Sequence, residues 1–552
     1  MNYQIARRNL MLAAAGAGFL KAQSGPDVTQ IVKRHDEGVE RLLKMQNTDP
    51  QSQWRGGYPD ANGLHHGGSG GGILESFTSA WLHPESRFHK SSLLMERMGL
   101  AAGFLNRVQS PDGNIDLLIT NFNSPPDTGF VVRNVATAAF LARKYKEQDL
   151  FALMEPFLRK AGKALTVGGI HTPNHRWVVS AALSQLYSLF AEPAYVKRID
   201  QWLAEGIDID PDGQYTERST VVYNAITNNA LVTMAAKLGR PELLEPVRRN
   251  LESMLYLLHP GYEVVTEISR RQDVNQRGDL GSYWFTLQYL ALLDGNGIYA
   301  GLADHFAPSR ASLSALMEYP DLAKAGPERQ AVPTDYEKEF PHLEVVRFRR
   351  GPVSATLLNG KDRFFTLRRG EAIISAVRFT SAFYGKGQFV PSKLVKQEGN
   401  YQLTQQLEAP YYQPLDPPRR VTPEQWDDLR ALREQTEISR FEQIATLAEL
   451  PAGFRLRIQA HGTRNVPVTV QLNLAADTKI EGCKQFSRNN QAYFLESGHG
   501  VVRGGESAIR FGPGLRLHSY TDVRGAGPEL PGPSIYLTGY APFDHTLLFE
   551  WA

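Results

Sequence analysis

Cysteine is nearly absent: Cys483 is the only one in 552 residues. No intramolecular disulfide and no thiolate metal cluster can form. An excess of one charge is also missing, since 60 Lys+Arg stand against 58 Asp+Glu for a formal +2. That balance supplies no global field for gripping nucleic acid or an anionic membrane surface, so a polyanionic ligand would have to be held by local basic groups. Beyond the N-terminus no run approaches the roughly 18 uninterrupted apolar residues of a membrane span. What remains is ordinary for a soluble globular chain, with 42% hydrophobic and 21% charged residues. Its length admits two to four domains by the prior of roughly 100–200 residues each.

The first residues carry Arg7-Arg8, a short Ala- and Gly-rich apolar run over 10–20, and Lys21-Ala22-Gln23. This pattern reads as an export signal over 1–23 of twin-arginine type, and implies a periplasmic or secreted protein.

From about 28 to 319 apolar residues recur at three- and four-residue spacing. The periodicity predicts helices over 28–45, 91–108, 130–145, 150–165, 175–190, 195–204, 219–237, 241–258, 282–293 and 298–306. Turns containing Pro111-Asp112-Gly113, Gly168-Gly169, Pro211-Asp212-Gly213 and Pro260-Gly261 recur about every 45–55 residues, the length of a helix pair. A closed ring of hairpins exposes no apolar end helix, and an N-terminal (α/α) toroid over 24–320 is the expected architecture. Charges and Ala-Gly-Pro mark a linker over 321–340. Alternating apolar residues then predict strands at 343–349, 353–358, 364–367, 454–460, 466–474, 508–511 and 535–539. The C-terminal 341–552 region is expected to be an antiparallel β-sandwich with a helical insertion at 423–434 and a closing strand at 545–551.

Two polar strings open successive helical repeats, and so are expected to face the same end of the ring. One is Thr172-Pro173-Asn174-His175-Arg176-Trp177, where Pro173 presets the backbone and Asn174 is placed as helix N-cap. A helix N-terminus disfavours protonated imidazole, so His175 is expected to be neutral. The other runs from Asp212-Gly213 through Glu217, Arg218 and Ser219 to Tyr223. Taken singly, each group has an ordinary structural role available: a cap, a first-turn carboxylate, a core tyrosine.

Asn-His at one helix start, followed by Asp-Gly, Glu217, Ser219 and Tyr223 at the next, resembles the heparinase II/III-like and alginate-lyase-like polysaccharide lyases. The resemblance implies a toroid with a C-terminal β-sandwich over nearly the whole mature chain. It further implies that Asn174 neutralises a uronate carboxylate, that His175 is base or activator, and that Tyr223 is base and acid. Two details depart from the family pattern. Glu217 to Tyr223 spans six residues instead of five, and Asn224 stands where His is frequent.

The residue types suit β-elimination. A uronate C5 proton is too weakly acidic to leave until donors neutralise the adjacent carboxylate, and Asn174, Arg176 or Arg218 are such donors. His175 and Tyr223 then share removal of that proton and protonation of the departing O4.

Further substrate-binding candidates are Glu217, Arg271 within the 266–273 charge run, Trp177 among the turn aromatics Trp54, Tyr58, Trp81 and Trp284, and Tyr384. Tyr384 enters because related lyases use a residue of the second domain. His65-His66 followed by Gly67-Gly68-Ser69-Gly70-Gly71-Gly72 reads as a flexible loop, and Arg347, Arg349, Arg350, Arg363, Arg368 and Arg369 as a solvated basic face. Some heparinase-like lyases hold zinc in the β region. Histidine is sparse there, so no metal and no cofactor is expected.

The expected partner is an acidic polysaccharide or oligosaccharide, with oligomeric state open. Two rival readings are a glycoside hydrolase using Glu217 with Asp212 or Asp273, and a carbohydrate-binding protein without turnover.

Overall fold

The computed structural model describes residues 25–551. The expected 1–23 export signal lies outside the described residues. Helix and strand are both abundant, and the chain divides into two compact units. The first holds the chain up to Ile209, Tyr215–Leu251 and Ser269–Val332; the second holds Asp210–Gln214, Glu252–Ile268 and the chain from Pro333 onward.

The first unit is helical. Its helices are α1 (Val28–Met45), α2 (Gly67–Leu82), α3 (Ser92–Val108), α4 (Pro125–Lys144), α5 (Gln148–Val167), α6 (Pro173–Phe190), α7 (Pro193–Leu203) and α8 (Tyr223–Leu238), then α9 (Glu245–Tyr256), which runs across the division between units. They continue with α10 (Trp284–Asp294), α11 (Gly297–Arg310) and α12 (Leu313–Glu318). Helices α2, α4, α6, α8 and α10 touch in that order, while α3, α5, α7 and α11 pack outside α2, α4, α6 and α10.

Sequence explains the layering. From Asn174 to Leu186 every residue of α6 is buried, as an inner helix requires, whereas α1 buries only Ile31, Val32, Asp36 and Val39. Arg34 of α1 donates to the carbonyls of Ala307, Pro308 and Ala311 at the end of α11, so the first helix meets the eleventh. The guanidinium adds a donor to carbonyls of the last turn, where Ala307 O already accepts from Ala311 N at 3.1 Å.

The glycine run expected as a flexible loop is instead the first turns of α2. A Cβ on Gly70 would sit 2.9 Å from Leu105, and one on Gly71 would sit 3.0 Å from Val131. Glycine is present because neighbouring helices approach there, and their packing offsets its poor helix propensity. A short hairpin, Ile115–Leu117 with Asn121–Ser124, also appears where only a turn was expected.

The second unit holds a nine-stranded and an eight-stranded sheet. The nine run Lys484–Phe486, Asn489–Phe494, Ser534–Tyr540, Pro467–Leu474, Ala372–Ser381, Phe365–Arg369, Val353–Leu358, Val345–Arg350 and Asp335–Phe340. The eight run Lys479–Glu481, Gly500–Gly504, Ser507–Gly512, Phe543–Glu550, Gly453–Gly462, Gln435–Leu450, Asn400–Tyr412 and Lys393–Gln397. One neighbouring pair is parallel, Asn489–Phe494 with Ser534–Tyr540; the rest are antiparallel. Both sheets feed one apolar core: Phe348 meets Tyr401 and Phe454 at 5.8 and 5.3 Å, and Phe365 meets Phe454 and Phe549 at 5.7 and 6.0 Å. The first strand, Asp335–Phe340, already falls in the stretch expected as linker.

The arginine-rich strands are not a uniformly solvated face. Arg347 is fully buried and donates to the carbonyls of Tyr256, Leu258 and Ala355 and to Ser354 Oγ and Thr356 Oγ1. It thereby clamps the 252–268 segment onto the sheet within this unit.

Candidate functional site

Helix α6 starts two residues earlier than its capping pattern suggested. Thr172 is the N-cap and Pro173 takes the first helical position, where its missing N–H costs nothing. Asn174 is therefore not the cap. Its side chain, buried in the first turn, donates from Nδ2 to Glu217 Oε2. An Asn amide carries two N–H donors, so one remains after this bond.

Two networks bring Glu217 to Asn174. Asp208 Oδ1 accepts from Arg176 Nη2 and from Trp177 Nε1, both at 2.9 Å, while its backbone carbonyl accepts from Thr216 N at 3.1 Å. The start of α6 is thus pinned to the loop carrying Glu217. Asp273 accepts from Ser219 Oγ at 2.9 Å, from Val221 N at 3.2 Å and from Ser269 Oγ, and Arg270 N donates to Glu217 O at 3.0 Å. This second network draws the 269–273 loop over the 215–222 loop.

The second network delivers Arg271. Its Nε lies 3.3 Å from Glu217 Oε1, and its guanidinium carbon sits 5.0 Å from the centre of the Tyr223 ring. Tyr223 is half-buried at the first position of α8, with Ser219 Oγ accepting its backbone N–H at 3.0 Å and its own hydroxyl accepting from Gln272 Nε2 at 2.8 Å. Asn174, Glu217, Arg271 and Tyr223 therefore form one continuous chain of contacts.

His175 adjoins this chain. Its ring meets His171 edge-on at 4.6 Å and Phe130 at 6.3 Å, and its buried Nδ1 has no hydrogen-bond partner. Burial lowers its pKa to about 4, with the charges of His171 and Arg271 acting in the same direction and Asp127 opposing. The imidazole is neutral at physiological pH. Burial pushes the Glu217 carboxyl the other way, upward, against the pull of Arg271 and the Asn174 hydrogen bond.

Several expected site residues stand elsewhere. Trp177 is a correction: it is fully buried, bonded to Asp208 and covered by Arg176 at 4.6 Å, so no sugar can stack on it. Arg176 is spent on Asp208, Glu205 and the Gly206 carbonyl, which removes it as a carboxylate donor. Arg218 is half-buried next to Glu217 with φ +49°, a left-handed conformation that costs a non-glycine residue on the order of 1 kcal/mol. Tyr384 belongs to the second unit, where its exposed ring meets Tyr411 and its hydroxyl pairs with Ser439 Oγ at 3.2 Å.

The carboxylates offered as hydrolytic partners are occupied. Asp212, in the second unit, accepts from the backbone N–H groups of His342 and Leu343, and Asp273 carries the three loop contacts above. Gln272, His171, Phe130 and Asp127 were not singled out in the sequence. Gln272, beside Arg271, and His171, just before the Thr172–Trp177 string, had a neighbouring signal.

A cavity of about 410 Å³ opens beside Phe130 and Asp127, lined also by Tyr58, Asp60, His66 and Asp116. Among the described residues no group of three His, Cys, Asp or Glu side chains is arranged to hold a metal ion, and no helix is long and apolar enough to cross a membrane.

The fold is that of polysaccharide lyases of known structure. A Paenibacillus xanthan lyase superposes with a TM-score of 0.57 at 10% identity, covering 94% of this chain and 57% of that one. A Streptomyces coelicolor A3 chondroitin AC lyase gives 0.54 at 13%, covering 98% and 80%, and a heparan sulfate lyase of Pedobacter heparinus gives 0.51 at 10%, covering 96% and 86%. No family model and no curated protein sequence matches the chain.

Proposed function

We propose that the protein is an exported polysaccharide lyase that cleaves a uronic-acid-containing glycan by β-elimination. Its architecture in this reading is an (α/α) toroid followed by an antiparallel β-sandwich. The ordered contacts of the inner helices and the Arg34 link to α11 support the toroid, and the shared core of the two sheets supports the sandwich. Export rests on Arg7-Arg8 and the apolar run behind them.

The observation that carries the chemistry is the contact chain Asn174–Glu217–Arg271–Tyr223 with neutral His175 beside it. The free N–H of Asn174, with the Arg271 guanidinium that Glu217 holds beside it, neutralises the uronate carboxylate. With that charge quenched, the Tyr223 side-chain oxygen removes the C5 proton. Arg271, over its ring, stabilises the negative charge in the transition state. The C5–H electron pair becomes the C4–C5 double bond, the C4–O4 bond breaks, and the proton returns to O4 as it departs. His175 holds the substrate as a neutral hydrogen-bonding group, since a group with a pKa of about 4 is not protonated at the working pH.

The test is ultraviolet absorbance of the conjugated enoate on a panel of uronate polysaccharides. We expect absorbance to grow with time, and Tyr223→Phe to lose a factor on the order of 10²–10⁴ in rate. New reducing ends without absorbance, lost in Glu217→Gln but kept in Tyr223→Phe, would establish hydrolysis instead. Sugar binding that survives loss of both His175 and Tyr223, with no turnover on any member, would leave only a binding protein.

A further inference from the structure

The elimination chemistry leaves the 410 Å³ cavity unused. Its volume lies within the roughly 300–1,000 Å³ typical of small-molecule sites. It reaches the candidate site through Phe130, whose ring meets that of His175, and through Asp127, whose charge His175 feels. A ligand with one sugar beside His175 would place the next sugar here.

The lining is specific in charge. Asp60, Asp116 and Asp127 face the cavity with His66, and no lysine or arginine lines it. Part of this acceptor capacity is committed: Asp60 accepts from the backbone N–H of Asn62 and Leu64 and pairs with His66 at 3.2 Å. Asp116 Oδ1 accepts from Asn123 N, and Asp127 Oδ2 from Asn121 and Ser124. Asp116 Oδ2, Asp127 Oδ1 and the Tyr58 hydroxyl have no partner among the described residues. Tyr58 and Phe130 add aromatic surface, which suits the apolar face of a pyranose.

One feature opposes the negative charge. Helices α2 and α4 begin at the cavity, and each N-terminus carries about half a positive charge. Two half charges do not outweigh three carboxylates, so the cavity as a whole repels anions.

We infer that this cavity is the subsite for the sugar adjoining the cleaved uronate, and that it accepts hydroxyl or ammonium groups while rejecting carboxylate and sulfate. The substrate class is then a heteropolymer that joins uronate to an unsulfated hexose or amino hexose, not a polyuronate. This inference rests on the lyase reading above for the position of the uronate.

The experiment uses three sets of oligosaccharides of equal length: uronate with unsulfated hexose or amino hexose, oligouronate, and uronate with sulfated hexose. Binding is measured by calorimetry on the Tyr223→Phe full-length chain and cleavage by absorbance on the unaltered one. The first set should bind at least about tenfold tighter than the others, the value of one well-placed hydrogen bond to a charged group. Asp116→Asn should weaken that set severalfold and, with one repelling charge gone, tighten the other two. Tyr58→Phe, which removes one oxygen and no charge, should weaken the first set severalfold and leave the other two nearly unchanged, and serves if Asp116→Asn misfolds. A preference for the amino hexose over the neutral one would show that ammonium is the favoured group.

Equal or tighter binding of oligouronate or the sulfated set, with cleavage observed, overturns the subsite and leaves the lyase. Selective binding of the first set without absorbance overturns the lyase and leaves the subsite.

Discussion

Glu217 is buried between Asn174 and Arg271, and burial favours its protonated form. A carboxyl whose folded pKa is raised contributes stability below its unfolded pKa and loses it as pH rises, so at neutral pH Glu217 is retained against stability. Glu217→Gln should melt at or above the parent temperature at pH 7 while product formation falls at least about tenfold, one charged hydrogen bond's worth. A clear drop in melting temperature would instead make Glu217 structural. His175 has the opposite signature: its native pKa is about 4, whereas an unfolded imidazole titrates near 6.5. The unfolded chain binds the proton first, so this stability is complete above about pH 6.5 and declines as pH falls toward 4. The loss is about 2 kcal/mol by pH 5. Melting curves at pH 7 and 5 should show a larger decrease for the parent than for His175→Gln, and equal decreases would refute the assignment. Asn174, His175, Glu217, Tyr223 and Arg271 were legible as candidates because polar groups at helix mouths carry a local signal. Trp177 was misread, because nothing in its neighbours reveals that Asp208 lies within reach of the indole.

At the scale of elements, α2 shows how packing overrides propensity. Four glycines within Gly67–Gly71 read as a loop in isolation, yet they let α2 approach Leu105 and Val131. Gly71→Val should destabilise by about 1–3 kcal/mol through overpacking against Val131, although valine has the better intrinsic helix propensity. The urea midpoint measures this, and an unchanged or raised midpoint would mean that the helices separate without cost. Strands of the second unit failed to read for a related reason. Gln435–Leu450 and Asn400–Tyr412 place Gln, Glu and Arg on exposed positions and bury only part of their length, so their apolar alternation is diluted. Val353–Leu358 and Pro467–Leu474 are buried nearly throughout and were recognisable as strands.

For the molecule as a whole, the chain crosses between units more often than a single linker allows, because Asp210–Gln214 and Glu252–Ile268 join the second unit. Arg347 holds part of the latter, donating to carbonyls about ninety residues away. Arg347→Leu would take a donor from the Leu258 and Ala355 carbonyls, while the Tyr256 carbonyl keeps the Tyr336 hydroxyl, and should cost about 1–3 kcal/mol, as for a buried acceptor left short of a partner. Hydrogen exchange should then show protection lost in 252–268 before the rest of the second unit, and uniform protection would refute the clamp. The order of a helical half before a stranded half was written in the sequence alone, since a period near 3.6 and a period of 2 are local properties of neighbouring residues. So were the kinds of side chain available for chemistry. Tertiary structure alone decided which of them meet: Asp208 and Asp273 pull three separated segments together, and only then do Asn174, Glu217, Arg271 and Tyr223 touch. Contacts between residues about fifty positions apart depend on how helices pack, and packing leaves no periodic trace along the chain.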